Sequence, residues 1–153
     1  MISGLETVSL LVDVDEESIE DISRFCTKIT LMDGEDLISE NESSSYDIYV
    51  LCEGNVEIIT SGNGVTSQEI SLSEQDKEIF GEISWLLSGK RTATIRCKGE
   101  VEAIHVDGTQ FMQYLESHPR AGFLIMRRIA IILAQRLNKT NSLLKQILWN
   151  SYT

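Results

Sequence analysis

The residues best suited to chemistry lie in one short stretch: Phe80-Gly81-Glu82-Ile83-Ser84-Trp85, then five residues, then Arg91-Thr92-Ala93-Thr94-Ile95. Gly81 falls where a strand should end and permits a close backbone approach. The apolar stretch after it can make one helical turn, whose first N–H groups lack intrahelical partners and attract an anion. Arg91 can give a phosphate two charge-assisted hydrogen bonds. Glu82, acceptor-only when ionised, suits a sugar hydroxyl rather than a phosphate oxygen. One anion site and one hydroxyl acceptor in a single loop describe a nucleotide site, and the same two residues could equally form an ion pair at the rim of a sheet. Nothing else in the chain offers comparable chemistry. His105 and His118 have no nucleophile or metal-ligand spacing beside them, so neither a catalytic residue nor a metal site is expected. Cys26, Cys52 and Cys97 are odd in number and widely separated, and read as buried reduced thiols.

These residues need a scaffold, and the periodicity supplies one. Ile19, Ile22, Phe25, Cys26 and Ile29 fall at helical spacing and predict a helix over 16–28, with Ser18 and Asp21 as a possible capping box. From 29 to 106 the pattern turns to short β-rich runs: KITLM, DLIS, YDIYVLC, NVEIIT, VTSQEISL, EIF, RTATIRC and VEAIHV. Turn signals separate them at Asp33-Gly34, Glu53-Gly54, Gly62-Asn63-Gly64 and Lys98-Gly99, and Glu40–Ser45 reads as a polar loop. Eight closely spaced runs without intervening helices predict an eight-stranded antiparallel barrel or jelly roll. Helices return over 107–153. Asp107-Gly108-Thr109 opens a short one that stops near His118-Pro119, and Ser117 and Pro119 start the longest helix of the chain. On that helix Phe123, Met126, Ala130, Leu133, Leu137, Leu144 and Ile147 form a heptad seam broken at Thr140. Ile125, Ile129 and Ile132 form a second strip, so one face can pack on the β body and the other on a second copy. The alternative is that both strips bury within one monomer.

The 153 residues, 42% hydrophobic, predict a single domain with a real core. The formal charge of −11 argues against nucleic-acid binding. It is unevenly spread: fifteen acids face two bases over residues 1–60, whereas residues 117–153 hold six bases and no acid. A basic C-terminal helix attached to an acidic body is set to dock on that body or on a sister subunit. No apolar run is long enough for a membrane span, and early acids stand where a signal peptide carries bases, so a cytoplasmic protein with no membrane partner is expected.

The FGEISW-LLSGK-RTATI stretch resembles the phosphate-binding cassette of the cyclic nucleotide-binding domain family, departing from its pattern at Trp85, where the family usually has Leu. The resemblance runs from about Phe25 to Asn141 and takes in Gly34-Glu35, the Tyr49–Ile58 stretch and the Phe111–Pro119 helix. It implies an eight-stranded jelly roll flanked by helices. It also implies a 3′,5′-cyclic nucleotide as ligand, with no cofactor: phosphate against Arg91, Ser84, Ala93 and Thr92, and ribose against Glu82, Gly81 and Ile83. Thr92 stands where cyclic GMP-selective members contact guanine. Arg136-Leu137-Asn138-Lys139-Thr140-Asn141 resembles the stretch with which catabolite activators contact adenine, which points to Thr140 and Asn141 as base-reading groups and leans towards cyclic AMP. Only twelve residues follow Asn141, too few for the helix-turn-helix of those activators. The expected function is therefore a non-catalytic cyclic AMP or cyclic GMP sensor, signalling to an unidentified protein effector through its C-terminal helix. A ligand-free interaction module keeping the same fold is the alternative. The apolar tail Leu143, Leu144, Ile147, Leu148, Trp149 and Tyr152 would cap the pocket, extend the seam or bind the effector.

Overall fold

The computed structural model describes Leu5 and residues 8–42, 45–60, 68–71 and 79–152. A short 3-10 helix at Ser9–Leu11 precedes α1 (Glu16–Ser23). Strands β1 (Cys26–Leu31), β2 (Asp36–Ile38), β3 (Ile48–Thr60), β4 (Gln68–Ser71) and β5 (Ile79–Phe80) follow. Then come α2 (Glu82–Leu87), β6 (Thr94–Val106), α3 (Gly108–Ser117) and α4 (Pro119–Tyr152). All pairings are antiparallel: the order β1-β6-β3-β4 forms the path, with β2 added to β6 and β5 to β3.

The eight β-rich runs give six strands among the described residues. YDIYVLC and NVEIIT fuse into β3, and RTATIRC and VEAIHV into β6, because two expected turns are irregularities within continuous strands. The β3–β6 register shifts on either side of Glu53. At Gly54, φ of +102° and a carbonyl of Glu100 that would sit 2.6 Å from any Cβ leave room for glycine alone. The turn at Gly62-Asn63-Gly64, and the parts of VTSQEISL outside β4, lie outside the described residues.

The first helix is shorter than its period predicts. It ends at Ser23, and Cys26 is already paired with Val106 while the Phe25 carbonyl accepts from Asp107 N–H, so the sheet ladder overrides the helical spacing. Asp15 occupies the N-cap position rather than Ser18, with no side-chain capping bond. α3 and α4 begin at Gly108 and Pro119, where the sequence places them; α3 is capped by Asp107, whose carboxylate accepts from Gln110 N–H at 2.9 Å, but Ser117 closes α3 rather than capping α4, its hydroxyl donating to the Gln113 carbonyl at 2.9 Å.

Strand alternation divides the core in two. Val50, Ile104 and Val106 face the helices, packing with Ile48, Ile79, Trp85, Phe111 and Leu115. Leu51, Val101 and Ala103 face the other side with Leu37, Ile38, Val56, Phe80, Ile95 and Cys97. The strips of α4 separate only in part: Met126 and Leu133 of the seam pack against the helix-side core together with Ile125, Ile129 and Ile132. Ile125 and Ile129 are fully buried in the helix-side core, each contributing about 2 kcal/mol. Phe123, Leu137, Leu144 and Ile147 of the seam are exposed. The N-terminal segment joins the same core through Val8, Leu10, Leu11 and Val14, and Asp13 bridges to Arg128 at 3.2 Å and Arg127 at 3.8 Å. Part of the basic helix is thus docked on the acidic end of its own chain. No described helix is long and apolar enough to cross a membrane.

Candidate functional site

The stretch singled out in the sequence wraps around one cavity of about 360 Å³. Gly81 turns the chain from β5 into α2 with φ of +88°; a Cβ there would stand 2.6 Å from Arg91 Nη1 and 2.7 Å from the Asp47 carbonyl. Only glycine allows the strand end, the arginine and the segment before β3 to meet. Arg91 is fixed at both levels. Its backbone N–H donates to the Glu42 carbonyl (2.9 Å) and its own carbonyl accepts from Asn41 N–H (3.0 Å). Its guanidinium, with the residue only 3% exposed, donates from Nη1 to Ser84 Oγ (2.6 Å) and the Gly81 carbonyl (3.2 Å). From Nη2 it donates to the Asp47 carbonyl (2.7 Å) and Ser45 Oγ (3.4 Å). All four acceptors are neutral, and the buried Nε has no partner among the described residues. A buried cation held by neutral oxygens alone lacks the counter-charge such burial calls for.

Glu82, 4% exposed, is held by a group from the far end of the chain: Arg136 of α4 donates to its Oε1 at 2.7 Å and to the Ile79 carbonyl, with the guanidinium 5.6 Å from the centre of the Phe80 ring. α4 is thereby fastened across the cassette. Of the residues expected from the sequence, Gly81, Glu82, Ile83, Ser84, Arg91, Thr92, Ala93 and Thr140 all line the cavity. Asn141 does not: it follows Thr140 on the helix, turned by about 100°, and is exposed. Thr140 Oγ1 donates to the Arg136 carbonyl at 3.0 Å, so its lone pairs remain to accept.

Trp85 does not floor the cavity. It lies in the helix-side core, stacked on Phe111 with ring centroids 5.4 Å apart, and its indole N–H donates to the Gly108 carbonyl at 2.9 Å. The departure from Leu is accommodated away from the pocket. Ile38, Ile58, Phe80 and Ile95 supply apolar walls, and Arg136, Lys139 and Leu143 line the α4 side. Arg136 was given no role from the sequence, although it lies four residues before Thr140 and therefore on the same helix face. Of the apolar tail, Leu143 reaches the cavity, whereas Leu144, Ile147, Leu148 and Trp149 are exposed. His105 pairs with Asp47 Oδ2 at 2.7 Å, and His118 stacks on Tyr114. Burial, reinforced by the Asp47 charge, raises the pKa of the neighbouring Tyr49 phenol. No group of three or more His, Cys, Asp or Glu able to hold a metal occurs among the described residues.

The chain has counterparts among known proteins. The chain is 34% identical over 101 residues to potassium/sodium hyperpolarization-activated cyclic nucleotide-gated channel 2 of Homo sapiens; the match takes in 63% of this chain and about a tenth (10%) of the channel. The catabolite activator protein of Thermus thermophilus superposes with a TM-score of 0.73 at 18% identity, over 91% of this chain and 62% of that one. The regulatory domain of Toxoplasma gondii PKA, solved with cAMP, superposes with a TM-score of 0.68 at 19% identity, over 82% and 47%. Both structures share the fold, a mainly antiparallel β body with a long C-terminal helix. Residues 28–118 match the family model of the cyclic nucleotide-binding domain, and the chain belongs to that family.

Proposed function

We propose that the chain acts as one domain, a non-catalytic sensor of a 3′,5′-cyclic nucleotide. The observation that carries this reading is Arg91, buried among neutral acceptors with Nε unpartnered among the described residues, beside a cavity of about 360 Å³ that lies within the usual range for small ligands. The exocyclic phosphate meets Arg91 and the backbone N–H groups of Ser84 and Ala93. It replaces some of the neutral contacts with a charge-assisted pair in a partly dry site. The ribose 2′-hydroxyl donates to Glu82; a carboxylate offers about four lone-pair sites, so the hydroxyl and Arg136 share it. The base reaches Thr92 and Thr140. Because Thr140 donates its proton to its own helix, it faces the base as an acceptor; set against the 6-position of the purine it accepts from the amino group of adenine and meets only another acceptor in the oxo group of guanine, which favours cyclic AMP over cyclic GMP. The exposed seam of α4 supports a homodimer through that helix, with the tail left for a protein effector.

Titration calorimetry of nucleotide-stripped protein with cyclic AMP and cyclic GMP tests the reading. Stoichiometric micromolar binding, tighter for cyclic AMP, with the nucleotide recovered unchanged, supports a sensor. Absence of heat with both ligands overturns it in favour of an interaction module that keeps the fold without the ligand.

A further inference from the structure

The carboxylate of Asp47 serves no obvious end in the pocket, yet the backbone of the same residue holds Arg91. Its carbonyl accepts from Arg91 Nη2 at 2.7 Å and lies against Gly81. Its side chain points the other way: Oδ2 pairs with His105 Nε2 on β6 at 2.7 Å, and Oδ1 accepts from Gly108 N–H at the start of α3 at 2.9 Å. The same Gly108 gives its carbonyl to Trp85 Nε1 of α2 at 2.9 Å. One glycine residue is therefore gripped from the segment before β3 on its N–H and from the cassette helix on its carbonyl. There is no slack at this junction, since a Cβ on Gly108 would lie 2.4 Å from the Tyr46 carbonyl and 2.9 Å from Trp85 Cδ1.

We infer that Asp47 is a positioning residue for the anion site: its carboxylate, anchored on His105 and Gly108, fixes the carbonyl that aims Arg91, and Trp85 ties the same anchor to α2. The inference rests on the proposed binding of a cyclic nucleotide for its functional consequence, but not for its geometry. A guanidinium whose Nη2 contact is fixed from outside the cassette keeps its place in the cavity wall when no ligand is present, so less ordering is left for the ligand to impose. It also means that α3, and α4 packed on it, start from a point shared with the arginine.

The experiment has two arms on the full chain. In the ligand-free protein, 15N-resolved NMR follows the Arg91 Nε–H signal and its exchange with water, with Arg96 Nε–H, bonded to Asp36 at 2.8 Å, as the internal control. In Asp47→Ala the Arg91 signal should move and its exchange should accelerate about 10-fold or more while Arg96 stays, the loss expected of one charge-assisted contact. In the second arm the affinity for cyclic AMP should fall about 10-fold in Asp47→Ala. Asp47→Asn, which still accepts from Gly108 N–H, should recover most of both effects; it also serves as the reporter should the alanine variant not fold, because a shift of Arg91 as large as that of Arg96 would then mean general loosening and overturn the inference. If the wild type binds cyclic AMP and Asp47→Ala changes neither the Arg91 signal nor the affinity, the inference falls and the sensor reading stands. If no nucleotide binds but the Arg91 signal still answers to Asp47, the sensor reading falls and the positioning role stands.

Discussion

The ion pair between Arg136 and Glu82 is the direct tether of α4 to the cassette, and its strength can be worked out in advance. The N–O separation is 2.7 Å; the Glu82 side chain is 6% exposed and that of Arg136 28%. Breaking a fully buried pair by removing one partner costs about 3–5 kcal/mol. Arg136 keeps partial access to water, which lowers the expectation to about 2 kcal/mol, with up to about 1 kcal/mol more if its contact with Phe80 is also lost. Arg136→Met retains much of the stem and removes the charge. In a chain of 153 residues, about 2 kcal/mol corresponds to a fall of about 4–8 °C in melting temperature. The assay is a double-mutant cycle in urea with Arg136→Met, Glu82→Gln and the pair together. A coupling energy of about 1–2 kcal/mol is expected. Additivity to within about 0.3 kcal/mol would mean that α4 is not held on α2 through these side chains, and the route from pocket to helix would have to be sought elsewhere.

Three further outcomes follow from single groups. Gly81→Ala places a methyl against Arg91 Nη1 and the Asp47 carbonyl at a positive φ, so it should destabilise the fold by about 2 kcal/mol or more and weaken cyclic AMP binding together, as read by thermal unfolding and calorimetry. Hydrogen bonds from Gln110 hold the Asp107 carboxyl below the usual carboxylate range. Its contribution is therefore present above the unfolded value near pH 4 and lost as the pH falls through the folded one; Asp107→Ala should cost about 1 kcal/mol at pH 7 in denaturant unfolding, with the gap closing below about pH 4. Burial pushes the Cys26 thiol up to about 12, so at pH 8 a thiol reagent should label half-buried Cys52 first and reach Cys26 only through opening of the fold; equal rates for the two would contradict the packing of β1 on β6.

Much of this molecule is legible in its residues, and the misses have physical causes. Period-2 runs gave the β body and its antiparallel pairing, and Asp107, Pro119 and the strips of α4 placed the C-terminal helices. The strand count was too high because Gly54 and Gly99 look like turns in sequence, whereas a glycine with positive φ can as well sit in a bulge while its strand runs on. The first helix ran too long because the helical spacing of Phe25 and Cys26 is local, and the ladder to Val106 and Asp107 that claims them is not. Within the site, the contiguous cassette was readable because one loop carries it. Arg136 lies 54 positions from Glu82 and had a helical period to recommend it, but nothing in sequence says which face of α4 meets α2. Asp47 was invisible for a different reason: its part is played by a carbonyl and by a carboxylate turned away from the pocket. Trp85, where the cassette departs from the family pattern, finds a stacking partner and an acceptor for its N–H within the core.

Arg91, buried with no counter-charge among the described residues, is proposed as the anchor of the phosphate. Calorimetry of cyclic AMP with the wild type and Arg91→Lys side by side addresses that role most directly. The account predicts micromolar, one-to-one binding to the wild type and a loss of about 100-fold or more in the lysine variant, because a point charge cannot give the paired donors. Equal affinity in the two proteins, or no binding to the wild type, would contradict it.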